Sequence, residues 1–225
     1  MENQVAETKT TLTQELLLLV ITIVPAVYLW SIWHLLPEQI PLHWNFQGEI
    51  DRYGDKSSLW TLFFVVQIPV YFLLMFLPKL AAKGKNIKMM GKKYYRLRVI
   101  VQLFMSGIMM SIMLGTSGMT GVRIEVMLGV CFSIFMILFG NYMGSIRQNH
   151  FVGIRTPWTL ESEEVWKKTH HIAGRLWVGG GFIGLILLAF LPGRWGLMTI
   201  VGLMLVPSLA VVVYSYFLFK KIEKA

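Results

Sequence analysis

Two stretches of this sequence concentrate side chains that could do chemistry. The first, IPLHWNFQGEIDRYGDK at residues 40–56, gathers His43, Asn45, Glu49, Asp51 and Asp55, with His34 nine residues before the histidine. Imidazole and carboxylate are zinc ligands, so this stretch is a candidate metal site. One histidine among loop carboxylates is a sparse donor set, and a hydrogen-bond network across the loop is the competing reading. The second stretch is GNYMGSIRQNHFVGIRTPWTLESEEVWKKTHHIAGR, residues 140–175. Thr156, Thr159, His150 and His170 are the residue types of a nucleophile and its base, but no spacing joins them. Glu161, Glu163 and Glu164 lack the paired histidines of HExxH, and the chain carries no GxSxG, no Walker loop and no GxGxxG opening a helix. The expectation is a protein without enzymatic activity, cofactor or bound metal.

These stretches are positioned by very apolar surroundings. Mean hydropathy is +0.59 and charged residues make up 15% of the chain, and the apolar residues come in runs of about twenty, the length of a bilayer-spanning helix. Spans are expected at roughly 14–36, 58–78, 99–117, 126–146, 172–191 and 197–219, which makes this an all-α polytopic membrane protein. The first run has no small-residue cleavage pattern and reads as a retained helix. Pro25, Pro69 and Pro207 fall inside spans, where neighbouring helices can satisfy freed carbonyls. Cys131 alone allows no internal disulfide and reads as a packing residue.

Orientation follows from Lys and Arg. Segment 79–98 holds eight, 147–171 four, the tail after Phe219 three, and the N-terminal segment Lys9. The opposite loops carry Arg52, Lys56, Arg123 and Arg194, a bias of sixteen against four that assigns both termini to the cytoplasm. A net charge of +9 therefore reports topology rather than direct nucleic-acid binding. Gly140 and Gly144, and Gly180 and Gly184, form GxxxG pairs that allow close helix approach, either within the chain or at a dimer seam.

In the outward loop, Ile40, Leu42, Trp44 and Phe46 alternate with Pro41, His43 and Asn45. That is a strand period, with a turn at Gly48 and a return strand from Ile50. The expected element is a small hairpin whose apolar face rests on the end of the bundle. In the inward stretch, Pro157 ends any preceding helix and Thr159 or Ser162 is the expected N-cap, with acids in the first turn. This predicts an amphipathic interfacial helix leading into the fifth span, with Trp158 and Trp166 at headgroup level. Asn141 and Arg175 are the polar groups expected nearest the membrane interior. Otherwise the spans read as nearly bare of charge, which counts against a solute or ion transporter, as does the lack of a repeat. A metal-dependent membrane enzyme is the third class considered.

Together the two stretches resemble the SdpI family of bacterial membrane immunity proteins, most specifically through NHFVGIRTPWTL followed by VW. The resemblance covers nearly the whole chain. It implies a six-helix protein of the bacterial plasma membrane that protects its host from a secreted toxin peptide. In the family's best-known case, a cytosolic transcriptional repressor is also bound when the toxin is present. Carried onto this sequence, the outer motif is Pro37, Ile40, Pro41, His43, Trp44, Asn45, Gly48, Asp51 and Lys56, and reads as ligand-binding or structural. The inner motif is Asn141, Asn149, Gly153, Arg155, Thr156, Pro157, Trp158, Thr159, Trp166 and Lys167, and reads as signalling or structural. The expected organisation is one membrane domain, with residues 1–98 carrying the outer motif and 99–225 the inner one.

Overall fold

The computed structural model describes residues 10–45, 49–80, 90–117, 121, 123–191 and 193–223, with the backbone alone at 44, 193 and 194. Helix α1 (Leu12–Ile32) begins at Thr11, whose side chain accepts from the Gln14 N–H while Gln14 Oε1 accepts from the Thr11 N–H. That reciprocal box satisfies two N–H groups that would otherwise be orphaned. After a 3-10 turn at Trp33–Leu35 come strands β1 (Gln39–Trp44) and β2 (Ile50–Asp55), paired antiparallel. The helices that follow are α2 (Ser58–Leu80), α3 (Lys92–Ser117), α4 (Ile124–Met143), the short α5 (Pro157–Glu161), α6 (Glu163–Leu188) and α7 (Gly193–Glu223).

Six of these helices are long and apolar enough to cross a membrane, and the small sheet lies between the first two. This is the expected multi-pass fold. Val27, Phe64, Phe190 and Leu209 point outward, as they must where the solvent is hydrocarbon rather than water. Two boundaries differ most from the expected ones, both at helix starts. The third helix begins at Lys92, which draws Arg98 into the bundle. The fifth begins at Glu163, because Ser162 accepts from the Val165 N–H and caps one unbroken helix.

Within α2, Phe63–Gln67 forms a π turn. It stands just before Pro69, which has no N–H to return to the preceding turn, and a widened turn accommodates that gap.

Helix α4 packs along α6, α6 along α7, and α3 joins α1 to α4. The α4–α6 seam depends on glycine: a Cβ on Gly140 would stand 2.9 Å from the Gly174 carbonyl oxygen, and one on Gly181 would stand 2.7 Å from that of Ser133. Gly180 meets Met136 and Gly184 meets Ser133, so these GxxxG glycines are occupied by packing inside the chain. Cys131 is likewise a packing residue, 2.9 Å from where a Gly107 Cβ would be.

Candidate functional site

The outer motif forms a hairpin seated on the bundle. Ile40 is completely buried and packs with Leu29, Ile32, Leu59, Phe63, Met109 and Met113 from α1, α2 and α3, and with Leu36 just after the 3-10 turn. Along β1 the pairing is irregular around His43, where successive partners are Pro41–Tyr53, His43–Arg52 and Trp44–Ile50. Leu42 falls in the irregularity, and a Cβ on Gly54 would collide with its side chain. Pro41 is tolerated because both strands of a two-stranded sheet are edges. Pro37 is exposed just before the strand.

The polar side chains of this loop pair with one another. His43 Nδ1 lies 2.6 Å from Asp51 Oδ1 across the hairpin, which is the network reading of the lone histidine. Asn45 donates to Glu49 Oε2 at 3.1 Å and accepts from the Glu49 N–H at 2.9 Å, closing the strand ends. Lys56 clamps the sheet to the top of α1. Its ammonium sits 4.9 Å from the centre of the Trp33 ring, 2.9 Å from Glu38 Oε1, and donates to the Trp33 carbonyl. Asp55 Oδ1 accepts from the Ser57 N–H at 2.7 Å, and the Ser57 hydroxyl, with that N–H second, holds the Asp55 carboxyl below its ordinary range. Gly48 lies outside the described residues.

The inner motif is a compact knot around α5 and the start of α6. Asn149 is fully enclosed and makes four bonds: it donates to the carbonyls of Arg147 and Val152, and accepts from the N–H groups of Phe151 and Val152. One amide thereby sets a whole loop. Thr156 caps α5, and Thr159 answers it in a reciprocal box while also donating to the Ile154 carbonyl at 2.8 Å. Thr159 is therefore the third residue of α5 and not a cap, and Pro157 occupies the first turn, where no N–H is missed. Trp158 donates to Ser215 Oγ at 2.6 Å and sets its ring edge-on to Tyr216, tying α5 to α7.

Trp166 is enclosed by protein and not exposed at the bundle surface. It is 1% exposed, donates to the Ile146 carbonyl at 2.7 Å, and stacks on His170 with ring centres 4.0 Å apart. An indole that finds both an apolar pocket and a protein acceptor is better buried than interfacial. In consequence, the expected separate interfacial helix is the first turns of α6 itself. His170 Nε2 accepts from the Ile154 N–H at 3.0 Å, so Nδ1 carries the proton toward the Trp166 carbonyl at 2.8 Å. The Ile154 contact is made possible by Gly153, whose φ of +112° strains any other residue. Arg155 remains on the surface, with its guanidinium on the His150 carbonyl. Lys167 pairs with Glu163 at 2.9 Å on the exposed side of α6. Asn141 is exposed on α4, apart from this knot.

A third constellation joins the first three spans, and the reading of them as nearly bare of charge is corrected by it. The Arg98 guanidinium contacts Glu15 Oε1 at 2.5 Å and Oε2 at 2.9 Å, and Tyr71 donates to the same carboxylate at 3.3 Å. Thr10 donates there too. Farther along the bundle, Thr22 bonds Gln102 Oε1 at 3.1 Å. Gln67 donates to Ser106 Oγ at 2.8 Å, and Ser106 donates to the Ile21 carbonyl. Gln67 Oε1 and Gln102 Nε2 are buried without a partner among the described residues. The available signal was Glu15, a lone acid inside a long apolar run, with Arg98 at the edge of another. Asn141 and Arg175, singled out instead, lie exposed.

The comparisons with known proteins fall on these same features. A model of the SdpI/YfhL protein family matches residues 145–215, which contain the inner knot and its α7 partner. A domain of unknown function (DUF1648) matches 20–67, from α1 through the hairpin into α2. The chain is 29% identical over 198 residues to the immunity protein SdpI of Bacillus subtilis (strain 168), covering 85% of this chain and 89% of that protein. No solved structure matches it. With the knot, the hairpin and six spans in one chain, this is a multi-pass membrane protein whose residues 145–215 match the SdpI/YfhL family and which is similar along most of its length to an immunity protein of that kind.

Proposed function

We propose that this protein is a non-enzymatic immunity protein of the bacterial plasma membrane, protecting its host from a secreted toxin peptide. The observation that carries this reading is the similarity to the Bacillus subtilis immunity protein, which runs along 85% of the chain rather than one motif. The positive-inside bias assigns the hairpin to the outer face and the 147–171 segment, with both termini, to the cytoplasm. A peptide arriving from outside then meets the hairpin or the span bundle first. The exposed cations of the inner motif, Arg155 and Lys167, are the surface offered to a cytosolic partner, for which a transcriptional repressor is the expected class. For toxin binding to reach that surface, the toxin must favour one of two arrangements of the bundle. The Glu15–Arg98 link between α1 and α3 is a contact whose making or breaking separates such arrangements.

Expression in a toxin-sensitive bacterium tests the reading: survival should rise in the presence of a matching toxin peptide. Unchanged survival across the candidate peptides, with the protein present in the membrane, sinks it. Transport is the second reading, favoured by the polar groups Gln67, Gln102, Thr22 and Ser106 inside the bundle. Flux of ions or small solutes from liposomes carrying the purified protein separates the two.

A further inference from the structure

Helices α6 and α7 border an open basic depression in which only Lys167 belongs to either motif. It has a volume of about 300 Å³ and is lined by Lys167, Lys168, His171, Ile172, Arg175 and Tyr214. The four nitrogen-bearing residues recur at positions that share one side of a helix. Two of them are partly neutralised: Lys167 pairs with Glu163 at 2.9 Å and Lys168 with Glu164 at 2.6 Å. These are exposed i,i+4 pairs of the kind that contribute little and exchange easily. His171 and Arg175 have no carboxylate partner among the described residues.

The cleft lies at the polar end of a helix pair that turns apolar along its length. Beyond Arg175, Leu176, Phe182, Leu209 and Val213 are exposed toward lipid. Charge above, apolar surface below and an aromatic hydroxyl alongside match an amphiphile with an anionic head. Guanidinium binds phosphate through two parallel N–H donors, which an ammonium cannot do.

We infer that this cleft binds a phosphate group, supplied either by the headgroup of an anionic phospholipid or by a soluble phosphate ester. Arg175 holds the phosphate, Lys167 and Lys168 add charge, and Ile172 with Leu176 faces the apolar part of a lipid. The site shares Lys167 with the inner motif but does not rest on the immunity reading, and its test requires no toxin.

The test uses the full chain in neutral detergent and follows its melting temperature during titration with short-chain phosphatidylglycerol, short-chain phosphatidylcholine or inorganic phosphate. Phosphatidylglycerol should raise the melting temperature and phosphatidylcholine should not. Arg175→Gln or Lys168→Gln should each weaken the apparent affinity about fivefold, the effect of one cation near an anionic headgroup. Arg175→Lys keeps the charge and should retain more binding than Arg175→Gln, which guards against misreading a folding defect. If inorganic phosphate alone reproduces the effect with the same dependence on Arg175, the phosphate site stands and its source is soluble. The inference is overturned if neither probe stabilises the protein. It is overturned equally if Lys221→Gln, outside the cleft, weakens binding as much as Arg175→Gln does.

Discussion

Arg98 grips Glu15 with two nitrogens across 83 residues of sequence, at 2.5 and 2.9 Å, and so ties the first span to the third. The guanidinium side chain is 4% exposed and the carboxylate 21%. Neither charge could stay in this apolar bundle without the other, since an isolated ion there is costly.

Glu15→Gln leaves that guanidinium without its counter-charge and should destabilise the protein by about 3 kcal/mol. The double variant Glu15→Gln with Arg98→Met should recover most of the loss, because no uncompensated charge remains. Thermal unfolding in detergent micelles measures both, and a double variant no better than the single one contradicts the pairing account.

Asn149→Ala removes four hydrogen bonds and strands two N–H groups and two carbonyls of a closed loop. A cost of about 2 kcal/mol is expected, together with faster amide exchange at Phe151 and Val152. Asn149→Asp keeps the acceptors, so those two amides should stay protected while the contacts at Arg147 and at the Val152 carbonyl are lost.

At Gly153 two obstacles coincide. The backbone is left-handed, with φ +112°, and a Cβ would run into the His170 ring. Gly153→Ala should therefore cost about 2 kcal/mol, most of it strain. Limited proteolysis across 147–156 should report the loosening, with no change at the hairpin.

The junction of β2 with α2 should respond to acid. The folded-state carboxyl of Asp55 lies below its ordinary value of 3.8, chiefly through its bond to Ser57. A depressed acid stabilises above its unfolded value and loses that contribution as pH falls through the folded one. The protection of the Ser57 amide, its exchange rate divided into the intrinsic rate at each pH, should thus be constant well above pH 3.8 and fall as pH drops below it. An Asp55→Asn variant should show little of that dependence.

Arg155 separates signalling from stability. It is exposed and its contact is a single carbonyl, so Arg155→Gln should change melting by less than about 0.5 kcal/mol. In cells, a reporter controlled by a partner repressor should nonetheless lose its response to toxin. Trp158→Phe keeps the ring against Tyr216 but drops the bond to Ser215, and should cost about 1 kcal/mol.

Much was already determined by the sequence alone. Six apolar runs of bilayer length dictate six helices, because hydrocarbon offers no partner for an unpaired backbone. The alternation from Ile40 onward produced the hairpin, and Ser162 with the acids after it produced the start of α6. All of these are local signals, carried by neighbours within a turn or a strand pair.

What only tertiary structure decided is which polar groups are enclosed. Trp166 and His170 look interfacial in sequence and become core because the loop held by Asn149 folds over them. Glu15 and Arg98 look like two charges at separate span ends and become one ion pair because α1 lies along α3. Burial is a property of pairs distant in sequence, and no period within a single helix records which partner will cover its polar face.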